Sequence, residues 1–110
     1  MMSILGNLFG KQSNIEKRLA GDAVLIDVRN PGEFASGYID GAISMPLGQL
    51  GVAVQSRFPD RNTAIILYCL SGARSAAAKN ELIKLGYVNV SNGGGIGSLA
   101  IQLHKVICKG

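Results

Sequence analysis

The chain reads AIILYCLSGARS over residues 64–75, and this stretch decides its fold class. Residues 64–68 are an apolar run with the length and composition of a buried strand. A short loop containing Gly72 follows, and a helical pattern then extends from Ala73 to Leu85, where Gly86 stops it. A strand that passes through a tight loop into a helix is typical of α/β proteins with parallel sheets.

The segments on both sides repeat this alternation of strands and helices. Apolar runs at 23–27 and 88–90 predict two further strands, and residues 96–103 predict a closing helix. The remaining signals are a capping box at Ser13 and Glu16, a second at Asn30 and Glu33 with Pro31 in the first turn, a helix within 47–56, and turns at 59–62 and 92–95. We therefore expect an α/β protein with a mostly parallel sheet flanked by helices on both faces.

At 110 residues, the chain is long enough for one core and too short for two. We expect a single domain over 1–110, with a core at about 13–103, a short N-terminal segment 1–12 and a C-terminal tail 104–110.

Cys69 stands where the predicted central strand ends, and this position favours a reactive sulfur. Backbone N–H groups at the start of the following helix carry partial positive charge, which stabilises a thiolate. A buried structural cysteine is the alternative interpretation. Gly72 would let the loop turn its N–H groups toward the sulfur, and Ser75 would either hydrogen-bond the thiolate or cap the helix. The pattern predicts a nucleophilic Cys69 with a pKa below the ordinary value.

The spacing between Cys69 and Arg74 indicates what the sulfur attacks. Four residues intervene, one fewer than in a cysteine phosphatase loop, so the ring of N–H donors is too small for a tetrahedral phosphate. The pattern C-x-x-G-x-R-S instead resembles the active-site loop of rhodanese-like sulfurtransferases. The resemblance covers roughly residues 22–100, where it includes Asp27-Val28-Arg29, Pro31, Glu33, Phe34, residues 37–42, Met45-Pro46 and Gly94-Gly95-Ile96. Two positions depart from it, because Tyr38 replaces a usual histidine and Leu99 a usual tryptophan.

This resemblance implies a rhodanese-like fold and a sulfurtransferase that carries sulfane sulfur as a Cys69 persulfide. Sulfur would pass from thiosulfate or a persulfide donor, including a protein donor, to a thiol, cyanide or protein acceptor, without a metal or an organic cofactor. Leu70 occupies a loop position where a basic residue would strengthen the binding of a dianion. The implied site comprises Cys69 as catalytic residue, Leu70, Ser71, Gly72, Ala73, Arg74 and Ser75 as substrate-binding residues, and Asp27, Arg29 and Glu33 as a supporting polar cluster.

Charge distribution favours an anionic small substrate. Residues 61–110 carry six Lys or Arg against one acidic residue, whereas residues 1–60 carry five against six. Nucleic acid is disfavoured because the basic residues are scattered and few aromatic residues are available for stacking. Two other functions stay open: a rhodanese-fold binding or sensor module that transfers no sulfur, and a cysteine phosphatase or arsenate reductase of related fold, which the loop length disfavours.

Cysteine usage indicates a reducing compartment. The two cysteines do not form a disulfide framework, and a nucleophilic Cys69 must stay reduced, so we expect a cytoplasmic protein. The first ten residues make a poor secretory signal, and no run is apolar enough to span a membrane. Cys108 would either resolve a Cys69 persulfide or have no function, and His104 is expected at the surface. No cluster has metal-ligand spacing, and the 93–95 glycine run is interpreted as a tight turn.

Overall fold

The computed structural model describes residues 15, 18, 19 and 21–109. Ile15, Arg18 and Leu19 are helical, whereas the predicted capping box of Ser13 and Glu16 lies outside the described residues. The elements that follow are β1 Val24–Asp27, α1 Pro31–Ser36, β2 Tyr38–Ile39, β3 Ile43–Ser44, a 3₁₀ turn Leu47–Gln49, α2 Leu50–Arg57, β4 Ile65–Cys69, α3 Ala73–Lys84, β5 Val90–Gly95, α4 Ile96–Leu103 and β6 Ile107–Cys108.

Four of the strands form one parallel sheet in the order β3-β1-β4-β5. The most apolar strand, β4, lies in the interior of this sheet, and all five of its residues are buried. Parallel neighbours connected through helices require right-handed crossovers, which cover the sheet. The predicted α/β class and mostly parallel sheet are confirmed.

Alternate residues of β4 face two separate apolar clusters. Ile65, Leu67 and Cys69 pack with residues of α2 and α3, including Leu50 and Leu82. Ile66 and Tyr68 pack on the opposite face with Ile39 of β2 and Leu99 of α4. The sheet is therefore covered on both faces, as its continuous hydrophobic run predicts.

The capping box that begins α1 is present. The Asn30 side chain accepts a hydrogen bond from the Glu33 backbone N–H, and the Glu33 carboxylate accepts one from the Asn30 N–H. Pro31 occupies the first turn, where its missing N–H costs no helical hydrogen bond. This box places Glu33 at the N-terminal end of α1.

The glycine run at 92–95 is not the turn that the sequence predicts. These residues continue β5, which pairs with β4 as far as Gly95, with a register shift that passes over Gly93. A side chain at Gly93 would press against Leu99, and one at Gly95 would meet the Leu70 carbonyl oxygen at 2.5 Å. The glycines are needed because the Cys69 loop and α4 both approach this strand closely.

Part of the segment predicted as a C-terminal tail is structured. Ile107 and Cys108 form β6, which pairs antiparallel with β2 in a small second sheet. His104 ends α4 in the left-handed conformation and is exposed, as expected. Across residues 15–109, where they are described, no helix has the length and apolarity needed to cross a membrane.

Candidate active site

Parallel register brings the ends of β1 and β4 together. Asp27, the last residue of β1, pairs with Tyr68, and Cys69 follows as the last residue of β4. Asp27 therefore lies beside the start of the Cys69 loop. This edge of the sheet, at the carboxyl ends of the strands, is where open α/β folds bind ligands.

The Cys69 loop folds back over the sulfur. The Gly72 N–H donates to Cys69 Sγ across 2.9 Å, and Gly72 begins α3 in the left-handed conformation with φ +101°. A larger residue is disfavoured here by this conformation, although a Cβ would only reach ordinary contact, at 3.4 Å, with the backbone of Gly94. The cysteine itself is only 1% exposed. The loop thus encloses the sulfur and aims a backbone donor at it.

Opposing effects set the acidity of the Cys69 thiol. Burial raises its pKa, but the Ser75 side chain and the backbone N–H groups of Ser75, Gly72 and Ser71 stabilise the thiolate, so the pKa falls from 9.0 to about 7. Hydrogen bonding to the anion outweighs the loss of hydration. The predicted direction of the shift is confirmed, so the thiolate forms more readily near neutral pH than it does in an ordinary cysteine.

Of the two roles that the sequence left open for Ser75, the structure shows the contact with the sulfur and not a helix cap, because Gly72 is the N-cap residue and no side chain makes a capping hydrogen bond there. The Ser75 hydroxyl lies 3.5 Å from Cys69 Sγ and 3.1 Å from the Gly72 carbonyl oxygen at the start of the helix. Its shortest contact is a third one, 2.6 Å to Oδ1 of Asn92. Sequence reasoning missed Asn92, because it lies in the glycine-rich segment that was interpreted as a turn.

Arg74 is engaged by Glu33 rather than projecting alone from the loop. Its two terminal nitrogens donate to the two carboxylate oxygens of Glu33 at 2.6 and 3.0 Å. The pair is accessible to solvent, with side chains 38% and 27% exposed. Hydrogen bonding from Arg74 lowers the pKa of Glu33 to about 2. Glu33 therefore contacts the Cys69 loop through Arg74.

Asp27 and Arg29 form a separate, buried ion pair. Arg29 donates to both carboxylate oxygens of Asp27, at 3.0 Å from Nε to Oδ1 and 2.7 Å from Nη2 to Oδ2, and also to the Gly37 carbonyl oxygen. The side chains are 6% and 0% exposed. This pair ties the end of β1 to the end of α1, the helix that carries Glu33.

The other predicted loop residues form the rim of the site. Leu70 is 59% exposed, and Ser71 and Ala73 are also exposed. The two unusual positions both pack with apolar neighbours, since Leu99 is fully buried and Tyr38 stacks on Phe34 at 4.2 Å between ring centroids. Among the described residues, no group of three or more His, Cys, Asp or Glu could hold a metal ion.

Comparison with known proteins places this geometry in a family. The model of the rhodanese-like domain matches residues 12–96. The chain is 36% identical to the thiosulfate sulfurtransferase PspE of Escherichia coli K12, over 73% of this chain and 77% of that protein. It is 38% identical to a putative mitochondrial thiosulfate sulfurtransferase of Schizosaccharomyces pombe, over 76% and 68%. A solved rhodanese with anions from E. coli superposes with a TM-score of 0.72 at 32% identity, covering 80% of this chain and 99% of that one.

Proposed function

Because the chain belongs to the rhodanese-like domain family, we propose that it is a sulfurtransferase that moves sulfane sulfur through a persulfide on Cys69. The single observation that carries this proposal is the enclosed Cys69 sulfur, which accepts a hydrogen bond from the Gly72 N–H at 2.9 Å and has a pKa of about 7. A sulfur whose thiolate is stabilised by backbone donors is suited to nucleophilic attack.

The reaction has two displacement steps. In the first, the Cys69 thiolate attacks the outer sulfur of thiosulfate, a new S–S bond forms, and sulfite leaves with the electron pair of the broken S–S bond. In the second, an acceptor such as a thiolate or cyanide attacks the terminal sulfur of the persulfide, and the Cys69 thiolate is restored. The enzyme needs no metal or organic cofactor, since every bond formed or broken is at sulfur.

Backbone donors of residues 70–75 are proposed to stabilise the anion at each stage. The resting thiolate carries its charge on Sγ, whereas the persulfide carries it on the outer sulfur, one bond beyond Sγ. Preorganised N–H groups at a helix N-terminus hold either anion without reorganising. Arg74 is proposed to bind the anionic donor by exchanging its Glu33 partner, and Asp27 and Arg29 are proposed to fix the strand end that supports the loop.

The donor is proposed to be thiosulfate, the substrate named for the relatives, or a persulfide on a small thiol or a protein. Leu70 supports the second possibility, because it exposes an apolar side chain on the loop rim where a charged residue would favour a dianion. We further propose the cytoplasm as the compartment, because Cys69 and Cys108 are both free thiols in the structure and the first must stay reduced to act.

The test is the mass of the intact protein after incubation with thiosulfate. We expect a gain of one sulfur atom, which cyanide removes as thiocyanate. Cys69→Ser should abolish both the mass gain and the turnover, whereas the matched control Cys108→Ser should keep them. Absence of the added sulfur in the folded wild-type protein with both thiosulfate and a small-thiol persulfide as donor would contradict the proposal and favour a binding module.

A parallel assay distinguishes the phosphatase alternative. With only four residues between Cys69 and Arg74, we expect no hydrolysis of a generic aryl phosphate. Turnover of that substrate that is lost in Cys69→Ser would overturn the assignment to sulfur transfer.

A further inference from the structure

The Ser75 hydroxyl has one hydrogen and three acceptors within reach. These acceptors are Asn92 Oδ1 at 2.6 Å, the Gly72 carbonyl oxygen at 3.1 Å and Cys69 Sγ at 3.5 Å. Ser75 is completely buried, so water does not compete for the hydroxyl as it would at the surface. Which acceptor receives the hydrogen determines whether Ser75 stabilises the thiolate.

The Gly72 carbonyl oxygen is already satisfied. It accepts the N–H of Ala76 at 3.0 Å and Nδ2 of Asn92 at 3.3 Å, which together use both of its lone pairs. The hydrogen of Ser75 is therefore divided between Asn92 Oδ1 and Cys69 Sγ.

The orientation of the Asn92 amide is fixed by two backbone groups. Its Oδ1 accepts the Gly94 N–H at 2.9 Å, and its Nδ2 donates to the Gly72 carbonyl oxygen. Exchanging the oxygen and nitrogen would oppose donor to donor and acceptor to acceptor at these contacts. The oxygen of Asn92 thus faces Ser75 as an acceptor.

We propose that Asn92 is a positioning residue that competes with the Cys69 sulfur for the hydroxyl hydrogen of Ser75. When Cys69 is a thiol or a persulfide, Sγ carries little charge and the hydroxyl donates to Asn92. When Cys69 is a thiolate, the hydroxyl rotates toward Sγ, because hydrogen bonds to anions are stronger than those between neutral groups. Only rotation about the Cβ–Oγ bond of Ser75 is required, and no proton is transferred between residues.

The consequence of this competition for the mechanism rests on the proposed sulfurtransferase function. A thiolate held by too many donors is abundant but weakly nucleophilic, since nucleophilicity falls with pKa. Competition from Asn92 weakens the hydrogen bond that Ser75 donates to the thiolate, and Asn92 accepts the same hydrogen once the persulfide has formed.

The experiment measures the rate of Cys69 alkylation by iodoacetamide against pH, followed on the Cys69 peptide by mass spectrometry. We expect Ser75→Ala to raise the midpoint and Asn92→Ala to lower it by several tenths of a pH unit. The double variant Ser75→Ala with Asn92→Ala should have the same midpoint as Ser75→Ala alone. A raised or unchanged midpoint in Asn92→Ala alone, or an equal shift with and without Ser75, would overturn the proposal.

Asn92→Asp provides a second test with a side chain of the same shape. The aspartate retains an oxygen acceptor for Ser75 and adds a negative charge near the thiolate, so we expect the alkylation midpoint of Cys69 to rise. The rise should be smaller in the Ser75→Ala background, where the hydroxyl is missing. An equal rise in both backgrounds would mean that charge alone acts and would contradict competition for the hydroxyl. The charged groups near the loop, Arg74 on α3, Glu33 on α1 and the Asp27–Arg29 pair after β1, are unchanged in all variants. Alkylation needs no sulfur transfer, so failure here is distinguishable from failure of the proposed function.

Discussion

Two arginine–carboxylate pairs with similar chemistry lie in different surroundings beside the Cys69 loop. Arg29 binds Asp27 through two nitrogens and is 6% exposed, whereas Arg74 binds Glu33 through two nitrogens and is 38% exposed. Removing one partner from a buried pair leaves an uncompensated charge, while water and salt replace a partner at the surface. We therefore expect the buried pair to maintain the fold and the exposed pair to exchange partners.

Local connections strengthen this difference. The Asp27–Arg29 pair joins residues two positions apart and holds the Gly37 carbonyl oxygen, so it shapes the chain between β1 and β2. The Arg74–Glu33 pair joins two helix N-termini, next to the sulfur. We therefore expect an anionic donor that reaches the loop to displace Glu33 from the Arg74 guanidinium.

The largest expected effect comes from neutralising the buried carboxylate. Asp27→Asn keeps the shape of the side chain but leaves the charge of Arg29 unpaired, which we expect to reduce the free energy of unfolding by about 3 kcal/mol. The matched change Glu33→Gln, which retains the capping box, should cost less than about 1 kcal/mol. Urea denaturation of both variants measures the difference. Equal losses of unfolding free energy would contradict the expectation that the buried pair contributes more to stability than the exposed pair.

Arg74→Ala should affect activity much more than folding. Losing a charge-assisted hydrogen bond to the donor, worth about 1.5 kcal/mol, corresponds to about a tenfold fall in kcat/KM for thiosulfate. The unfolding free energy should change by less than about 1 kcal/mol. Steady-state transfer to cyanide measures the first quantity, with Arg74→Lys as a control that keeps the charge and loses the planar fork. Unchanged kcat/KM would show that the donor does not contact Arg74.

The sequence predicted the fold because the fold depends on patterns that are local along the chain. The apolar run before Cys69, the capping box at Asn30 and Glu33, and the stop at Gly86 each encode one element through neighbouring residues. Their alternation then restricts the topology to parallel crossovers. The position of Cys69 was predictable for the same reason, since this residue lies where the strand pattern ends and the loop before the helix begins.

The contacts that complete the site were not predictable from local patterns. Glu33 and Arg74 are 41 positions apart, and Ser75 and Asn92 are 17 apart. The glycine-rich β5 was mistaken for a turn because glycine is rare in strands, and only the close approach of Leu70 and Leu99 explains it. Such requirements arise from packing between elements, so no signal within either segment indicates them.

Glu33→Gln should increase the affinity for thiosulfate. The carboxylate competes for Arg74 and repels a dianion, so its neutralisation removes both effects while the Gln side chain preserves the helix cap. We expect KM for thiosulfate to fall roughly threefold with little change in kcat, in line with the small free energy of an exposed pair. A neutral acceptor such as a small thiol should show no such change. A higher KM for thiosulfate would indicate instead that Glu33 orients Arg74 for the donor.

The smallest expected effect is a pH dependence of stability that the exposed Arg74–Glu33 pair causes. Arg74 lowers the pKa of Glu33 from 4.5 to about 2 in the folded protein. A group whose pKa is lower in the folded state stabilises the protein above its unfolded pKa, and that contribution disappears as the pH falls through the folded value. Solvent screening keeps it below about 1 kcal/mol. The difference in unfolding free energy between the wild type and Glu33→Gln should therefore be present near neutral pH and shrink as the pH falls from 4.5 to about 2. A difference that is constant over this range would mean that Glu33 does not pair with Arg74 in solution. Of the two arginines, only Arg29 would then have a carboxylate partner.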